Sequence, residues 1–220
     1  AYAGEMSVSG SASLNYSGLD SNANVNPWSM GDSVTFAGGG DLDNGMTVNV
    51  SYELDGGNYD DYSLKLGLGD GMGTLTFSGN SVNAGGVDAV KDIVPNAYTP
   101  VYEAADEFSG AADNGLATTS GRSTAGMWGY AVSAGSLDIS LGYNQMPAAG
   151  AKSEQSIGLT YNDALIEGLT VVAGRMDDGD VAENDTYGVK YTSGSLTAGL
   201  QFTKVGYTAT GTADQDAMHY

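Results

Sequence analysis

Residues 6–16 read MSVSGSASLNY, and they alternate strictly between two kinds of side chain. Met6, Val8 and Leu14 share one parity with other apolar or small residues, whereas serine or asparagine fills every position of the opposite parity. Successive side chains of a β-strand point to opposite faces of the sheet, so this stretch predicts a strand with one apolar and one small polar face. A strand of this length is long for a globular domain and suits a crossing of the outer membrane.

The same alternation recurs along the chain and predicts an all-β protein of about eleven strands, with a twelfth starting near His219. A weaker strand surrounds Val34 and Phe36, and the other apolar faces fall in 46–54, 62–68, 75–77, 128–132, 137–143, 157–161, 169–173, 187–191 and 196–202. Short connections (41–44, 69–72, 134–136, 163–168 and 193–194) take turns with longer ones (17–31, 55–60, 80–123, 144–153, 177–184 and 203 onward), although 55–60 and 163–168 are equal in length. This arrangement is typical of an antiparallel up-and-down transmembrane β-barrel, with tight turns at one end and longer loops at the other.

Three features favour a barrel in lipid over a soluble β-sandwich. The apolar faces are almost free of charge, with Arg175 at a strand end as the exception. Aromatic residues gather at the ends of the apolar faces, as they do at the two boundaries of a membrane. The polar faces are built from serine, threonine, glycine and asparagine, which suit a wetted lumen better than an exposed soluble surface.

The composition excludes several classes of function. The chain has 27 Asp and Glu against 7 Lys and Arg, a net charge of -20, which argues against nucleic-acid binding. No apolar run is long enough for a transmembrane helix. There are no cysteines, in keeping with an envelope or secreted protein, and residues 1–3 (Ala-Tyr-Ala) resemble the end of a secretory signal peptide.

The segment 80–123 lacks sustained alternation and is too long for a passive connection between strands. It is rich in acidic residues, and its apolar groups, such as Ile93, Tyr98 and Phe108, indicate that it packs against something. We therefore expect a functional loop after the fifth strand.

At this point the sequence resembles the trimeric general porins of Gram-negative bacteria, especially the alphaproteobacterial ones. The resemblance rests on the opening strand 6–12, on 43–52 (DNGMTVNVSY), and on 73–77 (GTLTF) leading directly into the long loop. It implies one barrel domain over 1–220, part of a sixteen-stranded barrel with the chain cut inside its twelfth strand; a complete twelve-stranded barrel is the alternative. It also implies a homotrimer in contact with outer-membrane lipid and lipopolysaccharide.

The resemblance further implies that segment 80–123 folds inward as a constriction loop, where acidic groups face basic groups on the barrel wall. The loop candidates are Asp88, Asp92, Glu103, Asp106 and Glu107. The wall candidates are Lys65, Arg122 and Lys190. Related porins carry more arginine on the wall, so this chain is expected to prefer cations.

The sequence offers little for catalysis. His219 is the one histidine and cysteine is absent, so the usual zinc sites cannot form and no enzyme activity is expected. The glycines Gly38, Gly39 and Gly40 have no phosphate-binding context and are interpreted as a turn. No cofactor is expected, apart from a candidate calcium site formed by Asp177, Asp178 and Asp180, whose carboxylates are the ligands calcium prefers.

We therefore expect a passive diffusion channel for small hydrophilic solutes and ions, working by size exclusion and electrostatics at a constriction. The alternative is a secreted or surface-layer all-β structural protein, stabilised by calcium, without a channel. The two differ in what covers the apolar faces: lipid in the channel, and a second protein layer in the surface protein.

Overall fold

The computed structural model describes residues 4–16, 28–56, 58–79, 85–90, 93–94, 126–145, 152–163, 165–177, 182–208 and 214–219. In these ranges the chain forms β-strands and one 3-10 helix, Gly86–Val90. No helix in the described ranges has the length and apolar character needed to cross a membrane.

Twelve strands form one antiparallel sheet in which each strand pairs with its neighbours in sequence. They are β1 (Glu5–Tyr16), β2 (Trp28–Asp41), β3 (Thr47–Asp55), β4 (Asn58–Gly67), β5 (Thr74–Gly79), β6 (Met127–Ala134), β7 (Leu137–Asn144), β8 (Glu154–Tyr161), β9 (Leu169–Asp177), β10 (Ala182–Ser193), β11 (Leu196–Tyr207) and β12 (Gln215–His219). The predicted up-and-down order is confirmed, as is the long connection after the fifth strand. The twelfth strand begins at Gln215, slightly earlier than predicted.

The two faces of the sheet have opposite environments. We call residues 85–90 and 93–94 of the long connection the loop segment. The face of the sheet that the loop segment covers is the inner face, and the opposite one is the outer face. Every large apolar strand residue with high exposure lies on the outer face, including Val8, Leu64, Trp128 and Phe202, which are between 43% and 59% exposed. Every buried strand residue other than glycine lies on the inner face. The protein is therefore buried on its polar side and exposed on its apolar side, the reverse of a soluble sandwich.

The predicted turn at Gly38, Gly39 and Gly40 is wrong, because these residues lie inside β2. They pair with β1 on one side and with β3 on the other, so their backbone groups belong to the sheet. Glycine suits the crowded position 39, where a Cβ would lie only 3.0 Å from the Val48 carbonyl oxygen. The same pairing extends β2 from Trp28 to Asp41, so the strand predicted as weak is the longest in the sheet.

The predicted long connection 55–60 is also wrong. β3 continues to Asp55 and β4 begins at Asn58, so the strands are joined by residues 56–57 alone. Gly56 has a φ of 55°, the left-handed conformation that tight hairpins require and glycine adopts without strain. A register shift between Tyr52 and Leu54 absorbs the extra residue on β4. Loop length therefore does not alternate at every turn of the meander.

Aromatic side chains cluster on the outer face at the end that carries the long loop. Phe77 and Trp128 pair directly across β5 and β6, with ring centroids 5.0 Å apart, and Tyr143 lies opposite Trp128 on β7. Tyr16 and Trp28 close the β1–β2 end in the same way, with centroids 4.9 Å apart. These positions agree with the prediction that the rings sit at a membrane–water boundary.

Candidate functional site

The loop segment (residues 85–90 and 93–94) lies against the inner face of the sheet through apolar side chains. Val87, Val90 and Ile93 form a buried cluster with Val172 and Met176 of β9. Val87 is fully buried and Val90 is 1% exposed. The described part of the long connection thus lies on the inner face of the sheet, as predicted, and its contact with the wall is a buried apolar cluster.

Glycines on four successive strands make room for this contact: Gly142, Gly158, Gly174 and Gly188 of β7, β8, β9 and β10. A Cβ on Gly174 would lie 2.7 Å from Val90 Cγ2 and 2.9 Å from Val87 Cγ2. At Gly188 a Cβ would come within 3.1 Å of Ile93 Cγ1. Because real Cβ atoms do not approach so closely, glycine lets the loop lie directly on the strand backbones. We call the inner face of β7 to β11 the covered wall.

Hydrogen bonds tie the ends of the 3-10 helix to the covered wall. At its start, the Gly86 N–H donates to Ser140 Oγ on β7, at 2.8 Å. At its end, the Gln201 side-chain amide on β11 donates to the Val90 carbonyl oxygen, at 3.0 Å. Hydroxyl and amide groups on this wall thus serve as partners for the loop backbone, which would otherwise be buried unpaired.

The inner face of β1 and β2, which we call the open wall, has no such cover in the described part of the chain. Ser7, Ser9, Ser11 and Ser13 line β1, and every residue of this strand is exposed. Ser11 Oγ lies 3.1 Å from Ser33 Oγ on β2, so the hydroxyls of neighbouring strands can pair with one another. From Ser7 to Ser13 the inner positions of β1 thus form a row of exposed hydroxyl groups.

The predicted site residues fall partly inside the described chain. Asp88 lies in the 3-10 helix and is half-buried. Lys65 lies exposed on the inner face of β4, opposite Asn49 and Thr76, and Lys190 lies half-buried on the inner face of β10, opposite Thr170 and Gly199. The two lysines therefore point to the predicted side of the sheet but lie on distant strands. Asp92, Glu103, Asp106, Glu107 and Arg122 lie outside the described residues.

The calcium prediction stays a prediction. Asp177 ends β9, exposed and on the outer-face parity, opposite Gln155 and Glu183. Asp178 and Asp180 lie outside the described residues. Within the part of the chain that the structure describes, no three carboxylate or histidine side chains come together as a metal site.

Several residues of the covered wall were not predicted from the sequence. Val172 and Met176 interrupt the polar parity of β9, and Gln201 is a long amide among small side chains on β11. Apolar residues on a nominally polar face were a usable signal, because they have no reason to face a lumen. Glycines at the inner parity of adjacent strands were a second one.

Charged residues on the outer face form a row at the long-loop end of β9 to β12. In register across these strands lie Arg175, Asp185, Lys204 and Asp216, with alternating charge. Arg175 Nη1 lies 3.4 Å from Asp185 Oδ1, and Arg175 Nη2 lies 2.6 Å from Glu183 Oε2. Arg175, the exception named in the sequence analysis, is thus paired with neighbouring carboxylates. The next outer-face row across these strands, Ala173, Tyr187, Phe202 and Met218, is wholly apolar.

An apolar outer face, a polar inner face and a loop folded onto the inner face together define a membrane channel protein built on an up-and-down β-sheet. The comparisons with known proteins agree: the sequence matches the Gram-negative porins over residues 1–220, and the chain belongs to this family. It is a porin, a channel protein of the bacterial outer membrane.

Solved porin structures resemble this one at low sequence identity. A porin refined at 1.8 Å resolution shares 16% identity, with a TM-score of 0.63, over 97% of this chain and 76% of that chain. Engineered variants of a Rhodopseudomonas blastica porin share 17% and 15% identity over 97% of this chain and 88% of theirs, each with a TM-score of 0.41. No protein of curated function matches the sequence. The first of these likenesses supports the porin fold.

The alternative of a surface-layer protein without a channel is not supported. It requires the apolar face to be buried under a second layer of protein. In the described chain that face is exposed along the strands, and the layer that does form, the loop segment, covers the opposite face.

Proposed function

We propose that this porin admits small hydrophilic solutes and ions by passive diffusion, with a preference for cations and no catalytic step. One observation carries the proposal: the buried core of the sheet is on its polar side, where the loop packs. A loop lying on the polar face of a sheet whose other face meets lipid occupies part of the lumen. It therefore narrows the path that solutes take.

The cation preference is supported by the charges on the inner side of the sheet. Glu53 and Asp55 of β3 and Asp88 of the loop segment contribute carboxylates, against the amines of Lys65 and Lys190. The formal net charge of -20 has the same sign. In this proposal the remaining acidic residues of the loop (Asp92, Glu103, Asp106 and Glu107) add to the negative potential of the constriction, and Arg122 opposes it.

We further propose outer-membrane lipid, including lipopolysaccharide, as the partner of the outer face, and a homotrimer as the assembly. The row of paired charges from Arg175 to Asp216 lies where the apolar rows end. Charges are tolerated at the headgroup level and excluded from mid-bilayer, so this row is expected to lie in the headgroup layer of the outer leaflet.

Reconstitution tests the channel directly. The purified protein is added to planar bilayers with a tenfold KCl gradient, and single-channel conductance and reversal potential are measured. Stepwise conductance with a reversal potential of the cation-selective sign is expected. Stepwise conductance with an anion-selective reversal potential overturns the cation preference alone, and an absence of steps from folded, heat-modifiable protein overturns the channel.

A further inference from the structure

Gln201 is a buried polar side chain of the covered wall that the sequence pattern does not explain. It is 1% exposed and lies on the inner face of β11. Its Nε2 atom donates to the Val90 carbonyl oxygen at 3.0 Å and to Thr186 Oγ1 at 2.8 Å. Both N–H groups of the amide are thus used, one toward the loop and one toward the neighbouring strand.

The Val90 carbonyl is a group that needs an external partner. Val90 is the last residue of the 3-10 helix, and no N–H group within a helix donates to its final carbonyl groups. Val90 is also buried, so water is a poor substitute for the missing donor. Gln201 supplies that donor from a position 111 residues away in sequence.

The position of the amide on the wall is fixed by its other contact. Thr186 is fully buried on β10, and its hydroxyl donates to the Phe202 carbonyl oxygen at 3.1 Å. Because the strand ladder holds Thr186, and Thr186 holds the amide, the distance between Val90 and the wall is set by rigid parts of the sheet. Apolar contacts of Val87 and Val90 could slide along the wall, whereas a directed hydrogen bond fixes one place.

We propose that Gln201 is a positioning residue for the channel: its amide clasps the end of the 3-10 helix to the wall and thereby sets the width of the lumen beside the loop. This inference rests on the proposed diffusion function for its effect on conductance. The clasp itself is a property of the folded chain and can be measured without any current.

Two measurements on the same variants separate the clasp from the channel. The chain has no cysteine, so Val87→Cys introduces a single thiol. Val87 lies in the 3-10 helix and is fully buried between the loop segment and the covered wall. In this background, Gln201→Met removes the amide at nearly constant size. Thr197→Val is the matched control, because Thr197 lies on the inner face of the same strand and its hydroxyl pairs with Thr192 Oγ1, at 3.2 Å, away from the loop.

Labelling of the thiol by a water-soluble maleimide is expected to be about tenfold faster in Gln201→Met than in the parent, since the opening of the loop loses one buried hydrogen bond. Thr197→Val is expected to label at the parent rate. In planar bilayers, without the cysteine, Gln201→Met is expected to show fluctuating conductance levels where the wild type shows one. Heat-modifiability on gels is expected to be the same in all of them, which a general loss of stability would not produce.

Equal labelling rates in Gln201→Met and Thr197→Val would overturn the clasp and leave the channel intact. Faster labelling with unchanged conductance would overturn the link between the clasp and lumen width. Absence of conductance in the wild type would instead overturn the proposed function, while the labelling still decides the clasp. If Gln201→Met fails to fold, Gln201→Leu replaces it, because leucine also removes the amide donor and adds no charge to a buried position.

Discussion

The covered wall and the open wall have the same sequence pattern and opposite environments. Apart from Val172 and Met176 on the covered wall, both carry mainly small polar residues on the inner parity and apolar residues on the outer one. On the covered wall, glycine takes inner positions such as 158 and 174, and the loop lies on them. On the open wall, β1 carries serine at the inner positions 7 to 13, and the inner glycines of β2, Gly31 and Gly39, lie against the side chains of Ser13 and Asn49 instead of against the loop.

The difference shows that the polarity of a strand face does not decide whether that face is exposed to solvent. Thr186 and Gln201 are as polar as the serines of β1, yet they are buried, because neighbouring strands and the loop supply partners for their donors and acceptors. Whether a polar strand face is buried depends on the space above its backbone. Where glycine removes the side chain, another segment of chain can approach to van der Waals contact and bury the polar groups around it.

The largest expected effect tests whether the outer face of β10, opposite the covered wall, meets lipid. Val189 is 38% exposed at the centre of the outer apolar row of β10. Val189→Arg is expected to cost about 2–4 kcal/mol of folding free energy, the cost of a basic side chain at mid-bilayer. Thr192→Arg, on the inner and exposed side of the same strand, is the control and is expected to cost little. Urea unfolding in lipid vesicles measures both, and equal losses would show that the outer face does not meet hydrocarbon.

A smaller effect is expected from filling the glycine space itself. Gly174→Leu places a side chain where Val87 and Val90 already lie, and overpacking of this kind costs about 1–3 kcal/mol. The loop is the part free to give way, so it is expected to move toward the lumen axis and lower single-channel conductance. Liposome swelling with sugars of increasing size gives a second measure, with a lower size limit expected.

The matched change on the open wall is Ser9→Leu, at an exposed inner position of β1. It adds the same side chain to the lumen without touching the described loop segment, so conductance close to that of the wild type is expected. If the two variants lowered conductance equally, the loss would come from the added volume alone, and the distinction between the walls would collapse.

Much of this structure follows from the sequence, because period two is a direct consequence of strand geometry. It predicted the strands, their order, the exposed apolar face and the position of the long loop. The sequence-based prediction failed where the local preference of glycine for turns conflicts with strand pairing. Gly38 to Gly40 suggest a turn, but they pair with β1 and β3 on either side. It also failed at Gln201 and Val172, whose roles depend on a loop that is distant in sequence and whose path no periodicity encodes.

A conservative exchange at Val172 sharpens the comparison further. Val172 is 2% exposed against Val87 and Val90, and Val172→Thr buries a hydroxyl there at a cost of about 1–3 kcal/mol. Faster maleimide labelling of Val87→Cys is the expected result. The reverse exchange, Thr35→Val, on the inner face of β2 in the open wall, is expected to leave that labelling unchanged. A rate that rises in both variants would indicate general loosening of the sheet rather than a local contact.

The smallest expected effect concerns charge. Lys65 is exposed on the inner face of β4, and Lys204, with a side chain 60% exposed, lies on the outer face of β11 within 3.9 Å of Asp214. Lys65→Glu is expected to shift the reversal potential toward stronger cation selectivity. Lys204→Glu makes the same change of charge on the outer face only, and is expected to leave the reversal potential unchanged. The shift should be measured near 0.1 M salt, where the Debye length is about 10 Å, and should shrink at 1 M, where it is about 3 Å. An equal response of both variants would mean that charges on the two faces reach the same ions, which a sheet separating lumen from lipid does not allow.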